Sequence, residues 1–116
     1  MKWEVSRGEI FSPVAVLFSG RDFRDAVDVA SSVDYGLSSS IYTSNIRNVF
    51  VALNKLQAGL TYVNSSTIIG EIQLPFGGVK KSGNTREDGH EGVREFTDLK
   101  TVYIDYSGRL QKSFVD

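Results

Sequence analysis

Between Ser44 and Gly59, the apolar residues Ile46, Val49, Phe50, Leu53 and Leu56 repeat at i, i+3, i+4, i+7 and i+10. No other feature constrains the fold as strongly, because this spacing gives a helix one apolar face that has to be covered. Ser44 is placed to cap its start, and Gly59 suits the left-handed position that closes a helix. Short strand-like runs flank it, Ser39-Ser40-Ile41-Tyr42-Thr43 before and Leu60-Thr61-Tyr62-Val63-Asn64 after. Upstream the pattern recurs. Pro13-Val14-Ala15-Val16-Leu17-Phe18-Ser19 is nearly continuously apolar, as in a strand covered on both faces, with Pro13 at the tolerated first position. Asp22 with Asp25 resembles a capping box. Phe23, Ala26, Val27, Ala30 and Val33 then form a helical stripe that Gly36 is placed to stop. Strands alternating with helices of about 10–15 residues predict a βαβαβ unit with parallel strands and right-handed crossovers.

From Ser65 to Glu87 the periodicity stops. A structureless stretch of about twenty residues in a compact domain is usually functional or disordered. Ile68, Ile69, Ile72, Leu74 and Phe76 argue against disorder, since they need dry surroundings. Within it, Leu74-Pro75-Phe76-Gly77-Gly78-Val79-Lys80-Lys81-Ser82-Gly83 reads as a shaped loop that turns sharply beside Phe76. Thr85 and Asp88 are placed to cap a short last helix reaching Leu99, which Gly89 and Gly92 weaken by about 1 kcal/mol each. Thr101-Val102-Tyr103-Ile104-Asp105-Tyr106 alternates like a half-buried C-terminal strand. The expected class is therefore α/β: a βαβαβ unit, a long functional loop, a short helix and a final strand.

Composition narrows the function. At 116 residues, with a net charge of −1 and no long run of one sign, the chain points to neither a nucleic-acid nor an acidic-membrane partner. No apolar run approaches the roughly 20 residues that span a bilayer. Met1-Lys2-Trp3-Glu4-Val5-Ser6-Arg7 lacks the apolar centre of a signal peptide, so a cytoplasmic location is expected. With no cysteine there is neither a disulfide framework nor a thiolate nucleophile or metal ligand.

Candidate chemistry is sparse. Gly77-Gly78-Val79-Lys80-Lys81-Ser82 fails as a phosphate loop, because Val79 stands where the glycine before the lysine should be. Asn64-Ser65-Ser66 matches a glycosylation acceptor, but Asn64 reads better as a hydrogen-bonding group at a strand end. His90, the single histidine, sits among Glu87, Asp88 and Glu91 and reads as part of a solvated helix face, so no metal site is expected. Glu71 is a lone acid with apolar neighbours. Glu9 and Phe11, two residues apart, project to the same side of an extended segment. There a carboxylate can accept two sugar hydroxyls while an aromatic ring packs on a flat one, although an exposed glutamate beside a core phenylalanine is the commoner arrangement.

Several stretches together resemble a known family. They are Glu9-Ile10-Phe11-Ser12-Pro13-Val14, Tyr35-Gly36-Leu37, Gly59 to Asn64, Leu74 to Gly83, Arg86-Glu87, Glu95-Phe96-Thr97 and Lys100-Thr101-Val102. In order and spacing they closely resemble the C-terminal part of the NAD(P)-dependent aldehyde dehydrogenases, over about residues 5–106. Thr67-Ile68 through Glu71, with Val102 to Tyr106, looks most like the branch that oxidises semialdehydes and other small polar aldehydes.

The resemblance implies roles. Glu9 would accept hydrogen bonds from the nicotinamide ribose of NAD or NADP, and Phe11 would pack beside the nicotinamide. Ser12 stands where the family usually has glycine. Asn64, Thr67, Ile68 and Glu71 would line part of the substrate tunnel, with Phe76 near the aldehyde end. Residues 1–100 would be the C-terminal part of the catalytic domain, and residues 101–116 an oligomerisation strand and tail. The family's chemistry also needs a cysteine nucleophile, a glutamate base, an asparagine that steadies the oxyanion and a dinucleotide-binding domain. All of these lie upstream of the matched segment, so this chain is expected to carry no catalytic residue, to bind no cofactor tightly and to be inactive alone. Its expected partners are further copies of itself or a complementary aldehyde dehydrogenase subunit. The alternative is a non-catalytic assembly module acting through an exposed sheet edge.

Overall fold

The computed structural model describes residues 8–109. Its elements are α1 (Phe23–Ser31), β1 (Tyr35–Gly36), β2 (Ser38–Ile41), α2 (Ile46–Lys55), β3 (Leu60–Val63), β4 (Val79–Lys80) and α3 (Gly89–Arg94). The chain is mixed α/β. The first and last seven residues, including the Met1–Arg7 start and the end of the expected tail, lie outside the described residues.

The centre is the predicted strand–helix–strand. β2 and β3 pair in parallel, Ser38 opposite Leu60 through Ile41 opposite Val63, with α2 as the crossover. Ser39 Oγ and Thr61 Oγ1 hydrogen-bond across the pair at 2.9 Å, and Ser40 Oγ donates to Ser65 O at 2.6 Å. α2 starts one residue later than expected. Asn45, not Ser44, is the cap: its Oδ1 accepts from Arg47 N–H at 2.9 Å, and its own N–H is held by Thr43 Oγ1 at 3.1 Å.

α1 packs on α2, with Val27 buried between them. Asp22 caps it by accepting from Asp25 N–H at 2.9 Å. The Asp25 carboxylate reaches back to Arg21, taking its N–H and its guanidinium, both at 2.9 Å. These bonds, that from the guanidinium first, hold Asp25 at a pKa of about 2. The helix stops at Ser31, short of Gly36, because Ser32 closes it with an Oγ bond to Val29 O at 2.7 Å. Gly36 is a strand residue instead. Any side chain there would collide with Gln57 O, so the position serves close backbone packing, not helix termination.

β1 and β4 form a separate antiparallel pair, Tyr35 opposite Lys80 and Gly36 opposite Val79. Part of the irregular stretch is thus tied back to the end of α1. Lys80 Nζ donates to Ser31 O at 2.6 Å and Val33 O at 2.8 Å, Lys81 pairs with Asp34 at 2.7 Å, and Gly36 N–H donates to Ser82 Oγ at 2.9 Å.

Two expected strands do not form. Residues 13–19 pair with nothing among the described residues, and Val14, Val16, Leu17 and Phe18 are exposed. Thr101 to Tyr106 is likewise unpaired, with Val102, Tyr103, Ile104 and Tyr106 exposed. A strand needs a neighbour for its backbone groups, and neither run finds one among the described residues. α3 ends at Arg94 instead of Leu99, and Asp88 precedes it without a side-chain capping bond. The buried apolar residues are Val27, Ile41, Val49 and Ala52. Of the α2 stripe, Ile46, Phe50 and Leu53 remain exposed, because a two-stranded sheet covers only part of a helix face. No helix among the described residues is long and apolar enough to cross a membrane.

Candidate functional site

The loop Leu74–Gly83 is fixed against the sheet by backbone geometry. Phe76 and Glu87 exchange both N–H···O bonds, at 2.7 and 2.6 Å, forming a single antiparallel bridge. Arg86 reaches inward and donates to Gly78 O and Thr85 O, each at 2.8 Å. Gly77 lies directly on Gly59, whose missing side chain leaves room for Gly77 O. Gly59 is therefore required for close approach of the loop to β3, not for closing α2. The segment before Pro75 is tied down by Tyr62 Oη donating to Ile69 O, Leu74 N–H to Glu71 O at 2.9 Å, and Gly89 N–H to Ile72 O at 3.0 Å.

Between β3 and this loop lies a cavity of about 850 Å³. Its wall is mostly apolar, with Leu60 and Tyr62 from β3 and Ile69, Ile72, Leu74 and Phe76 from the loop, while Glu71, Glu87 and Asp88 add carboxylates. Such a volume suits a small organic ligand or a short extended chain. A second cavity of about 440 Å³ lies along β2 and is richer in hydroxyls, with Ser38, Ser39, Ser40, Tyr35 and Ser82 facing Glu9.

The expected site residues divide between these places. Glu71 and Phe76 both line the larger cavity, and Glu71 also accepts a hydrogen bond from the Gln73 amide. Thr67 and Ile68 are exposed and line neither cavity. Asn64 lines neither cavity; its amide is spent on the Thr43 backbone. Glu9 borders the smaller cavity, whereas Phe11 is 94% exposed. The same-side projection expected of Glu9 and Phe11 assumed an extended chain. Phe11 instead has a φ of 50°, which breaks the alternation. Tyr62 and Arg86, which hold the wall in place, fall in stretches that carry the family resemblance but take no site role from the sequence. An arginine inside a glycine-rich turn was the available signal. No group of three or more His, Asp or Glu suited to a metal occurs among the described residues.

A parallel βαβ core, a glycine-packed loop on its last strand and the order of the motifs define a recognisable class. The profile of the aldehyde dehydrogenase family matches residues 2–102. The chain belongs to the aldehyde dehydrogenase family. It is 39% identical over 100 residues to an aldehyde dehydrogenase of Enchytraeus buchholzi, a match covering 86% of this chain and 20% of that protein. It is 37% identical over 101 residues to the alpha-ketoglutaric semialdehyde dehydrogenase of Bacillus subtilis, covering 86% of this chain and 21% of that one. The resemblance to the semialdehyde branch thus has a counterpart among its relatives. The crystal structure of an NAD-dependent aldehyde dehydrogenase from Sinorhizobium meliloti superposes with a TM-score of 0.86 at 34% identity, covering 97% of this chain and 22% of that one. The chain spans about a fifth of the length of the relatives it matches.

Proposed function

We propose that this chain is the C-terminal part of the catalytic domain of an NAD(P)-dependent aldehyde dehydrogenase, one that converts a small polar aldehyde to the carboxylic acid, and that alone it turns over no aldehyde. The observation that carries this reading is the superposition of 97% of the chain on 22% of a full aldehyde dehydrogenase, with its motifs in the family's order. In this reading the 850 Å³ cavity is one wall of the aldehyde tunnel, with Phe76 and Glu71 on its surface, while Asn64, Thr67 and Ile68 do not line it. These 116 residues include no cysteine, so they supply no thiolate nucleophile of their own. The Glu9 carboxylate can accept ribose hydroxyls, but Phe11 is exposed and does not line the cavity that Glu9 borders. Within this chain the two do not fit a nicotinamide nucleotide as a clamp, which supports the reading that no cofactor binds here tightly. A cytoplasmic location belongs to the same proposal.

The test is complementation. An aldehyde dehydrogenase truncated before the matched segment is mixed with this chain and assayed with NAD or NADP and a semialdehyde. Restored turnover, absent from either piece alone, is expected; failure of the pair to associate overturns the reading.

A second reading has its own support. The outer edges of β2 and β3, unpaired among the described residues, and the exposed apolar runs favour a non-catalytic module that assembles through its sheet. Stable homo-oligomers without a larger partner are its expected signature, and copurification with a cysteine-bearing subunit would exclude it.

A further inference from the structure

We propose that Tyr62 is a positioning residue for the aldehyde: its hydroxyl fixes the stretch Ile69 to Ile72 on the cavity wall, and through that stretch it sets how tightly the aldehyde is held. This inference rests on the tunnel reading of the cavity and deepens it. Tyr62 stands on β3, lines the cavity, and donates from its Oη to Ile69 O, seven residues on.

Little else holds that stretch. Its start is tied where Ser40 Oγ donates to Ser65 O at 2.6 Å, and its end where Gly89 N–H donates to Ile72 O at 3.0 Å. For residues 66–70, Tyr62 is the one hydrogen-bond partner outside the stretch among the described residues; Ile68 N–H reaches only Ser66 Oγ, 3.4 Å away. Glu71 bonds within its own turn, to Leu74 N–H and the Gln73 amide. Packing adds no hold at Gly70, where nothing lies within 4 Å of the place a methyl would take.

The tie also accounts for which residues reach the wall. It closes a loop from Tyr62 to Ile69, so Thr67 and Ile68 fall on that loop and line neither cavity. Ile69, Gly70, Glu71 and Ile72 come back onto the larger one. Tyrosine suits the task, because it sets an apolar ring in an apolar wall and carries a donor at its far end. The phenol proton is committed to Ile69 O, so Tyr62 acts through the backbone and not as an acid toward the aldehyde.

The experiment compares Tyr62→Phe, which removes only the hydroxyl, with wild type. Both are studied as the chain alone and as the chain complemented by the truncated aldehyde dehydrogenase at saturating NAD or NADP. In the chain alone, cleavage after Glu71 by a glutamate-specific protease should speed up about fivefold, the weight of one hydrogen bond. Cleavage after Glu91 and Glu95 should keep its rate. In the complemented enzyme the aldehyde KM should rise about fivefold while kcat stays within about twofold of wild type. An unchanged rate at Glu71, or a faster one with KM unchanged, overturns the proposal and leaves the tunnel reading standing. Equal acceleration at all three glutamates, or a fall in kcat at constant KM, also overturns it, since either marks a general support of the fold or a proton donor. A wild-type pair that associates without turnover overturns the tunnel reading and this inference together.

Discussion

Asn64 holds Thr43 by both backbone groups: Asn64 Oδ1 accepts from Thr43 N–H at 2.8 Å, and Asn64 Nδ2 donates to Thr43 O at 3.1 Å. The side chain acts as a substitute ladder rung where β2 and β3 end, and the residue sits at a φ of 52°, which asparagine tolerates better than most. Asn64→Asp keeps the shape but sets a carboxylate oxygen against Thr43 O. It should cost about 1–3 kcal/mol, read as a lower urea midpoint with unchanged slope.

Lys80 sets a left-handed backbone against two bonds, one to the last carbonyl of α1 at Ser31 and one to Val33 beyond the helix. Its φ is 56°, and Nζ lies 2.6 Å from Ser31 O and 2.8 Å from Val33 O. Lys80→Ala keeps the unfavourable φ and loses the clamp, at about 1–2 kcal/mol after allowing for exposure. Lys80→Gly also loses the clamp but relieves the backbone, so it should be the more stable of the two by about 1 kcal/mol. Thermal unfolding of the pair decides the order.

Gly59 and Gly70 should respond in opposite ways. A methyl group at Gly59 meets Gly77 O, so Gly59→Ala should displace the loop from β3 and cost more than about 3 kcal/mol. Nothing lies within 4 Å of a methyl at Gly70, and Gly70→Ala should stay within about 0.5 kcal/mol of wild type. Chemical denaturation of both variants measures the contrast.

Acid should loosen the start of α1. The Arg21 guanidinium and N–H lower the Asp25 pKa from 3.8 to about 2. A group lowered on folding stabilises above its unfolded value and loses that contribution as pH falls through the folded one. The Asp25 share should therefore be whole above 3.8 and gone below about 2. Asp25→Asn should remove that part of the acid limb in a thermal melt series. Asp105, lowered by the Ser107 N–H, should leave a smaller remainder.

What could be read from the sequence follows from the range of the interactions. The α2 stripe and the Asp22–Asp25 cap are local, and both helices appear within a few residues of their expected ends. β2 and β3 were legible because a crossover helix of suitable length joins them. Residues 13–19 and Thr101 to Tyr106 have strand patterns, but pairing depends on a neighbour, and the described residues provide none. β4 is two residues long and exists only because β1 lies beside it, so no periodicity could announce it. The candidate site was legible as a loop around Phe76. The separation of Glu9 from Phe11 was not, since one positive φ at Phe11 reverses the alternation on which that pairing rested.

The most direct test of the central claim is a turnover assay of the purified chain with NAD and NADP and a panel of short aldehydes and semialdehydes, following formation of reduced nicotinamide. The chain alone should give the buffer rate with every aldehyde. Sustained, enzyme-dependent reduction by this cysteine-free polypeptide would contradict its assignment as a partial, dependent piece of an aldehyde dehydrogenase.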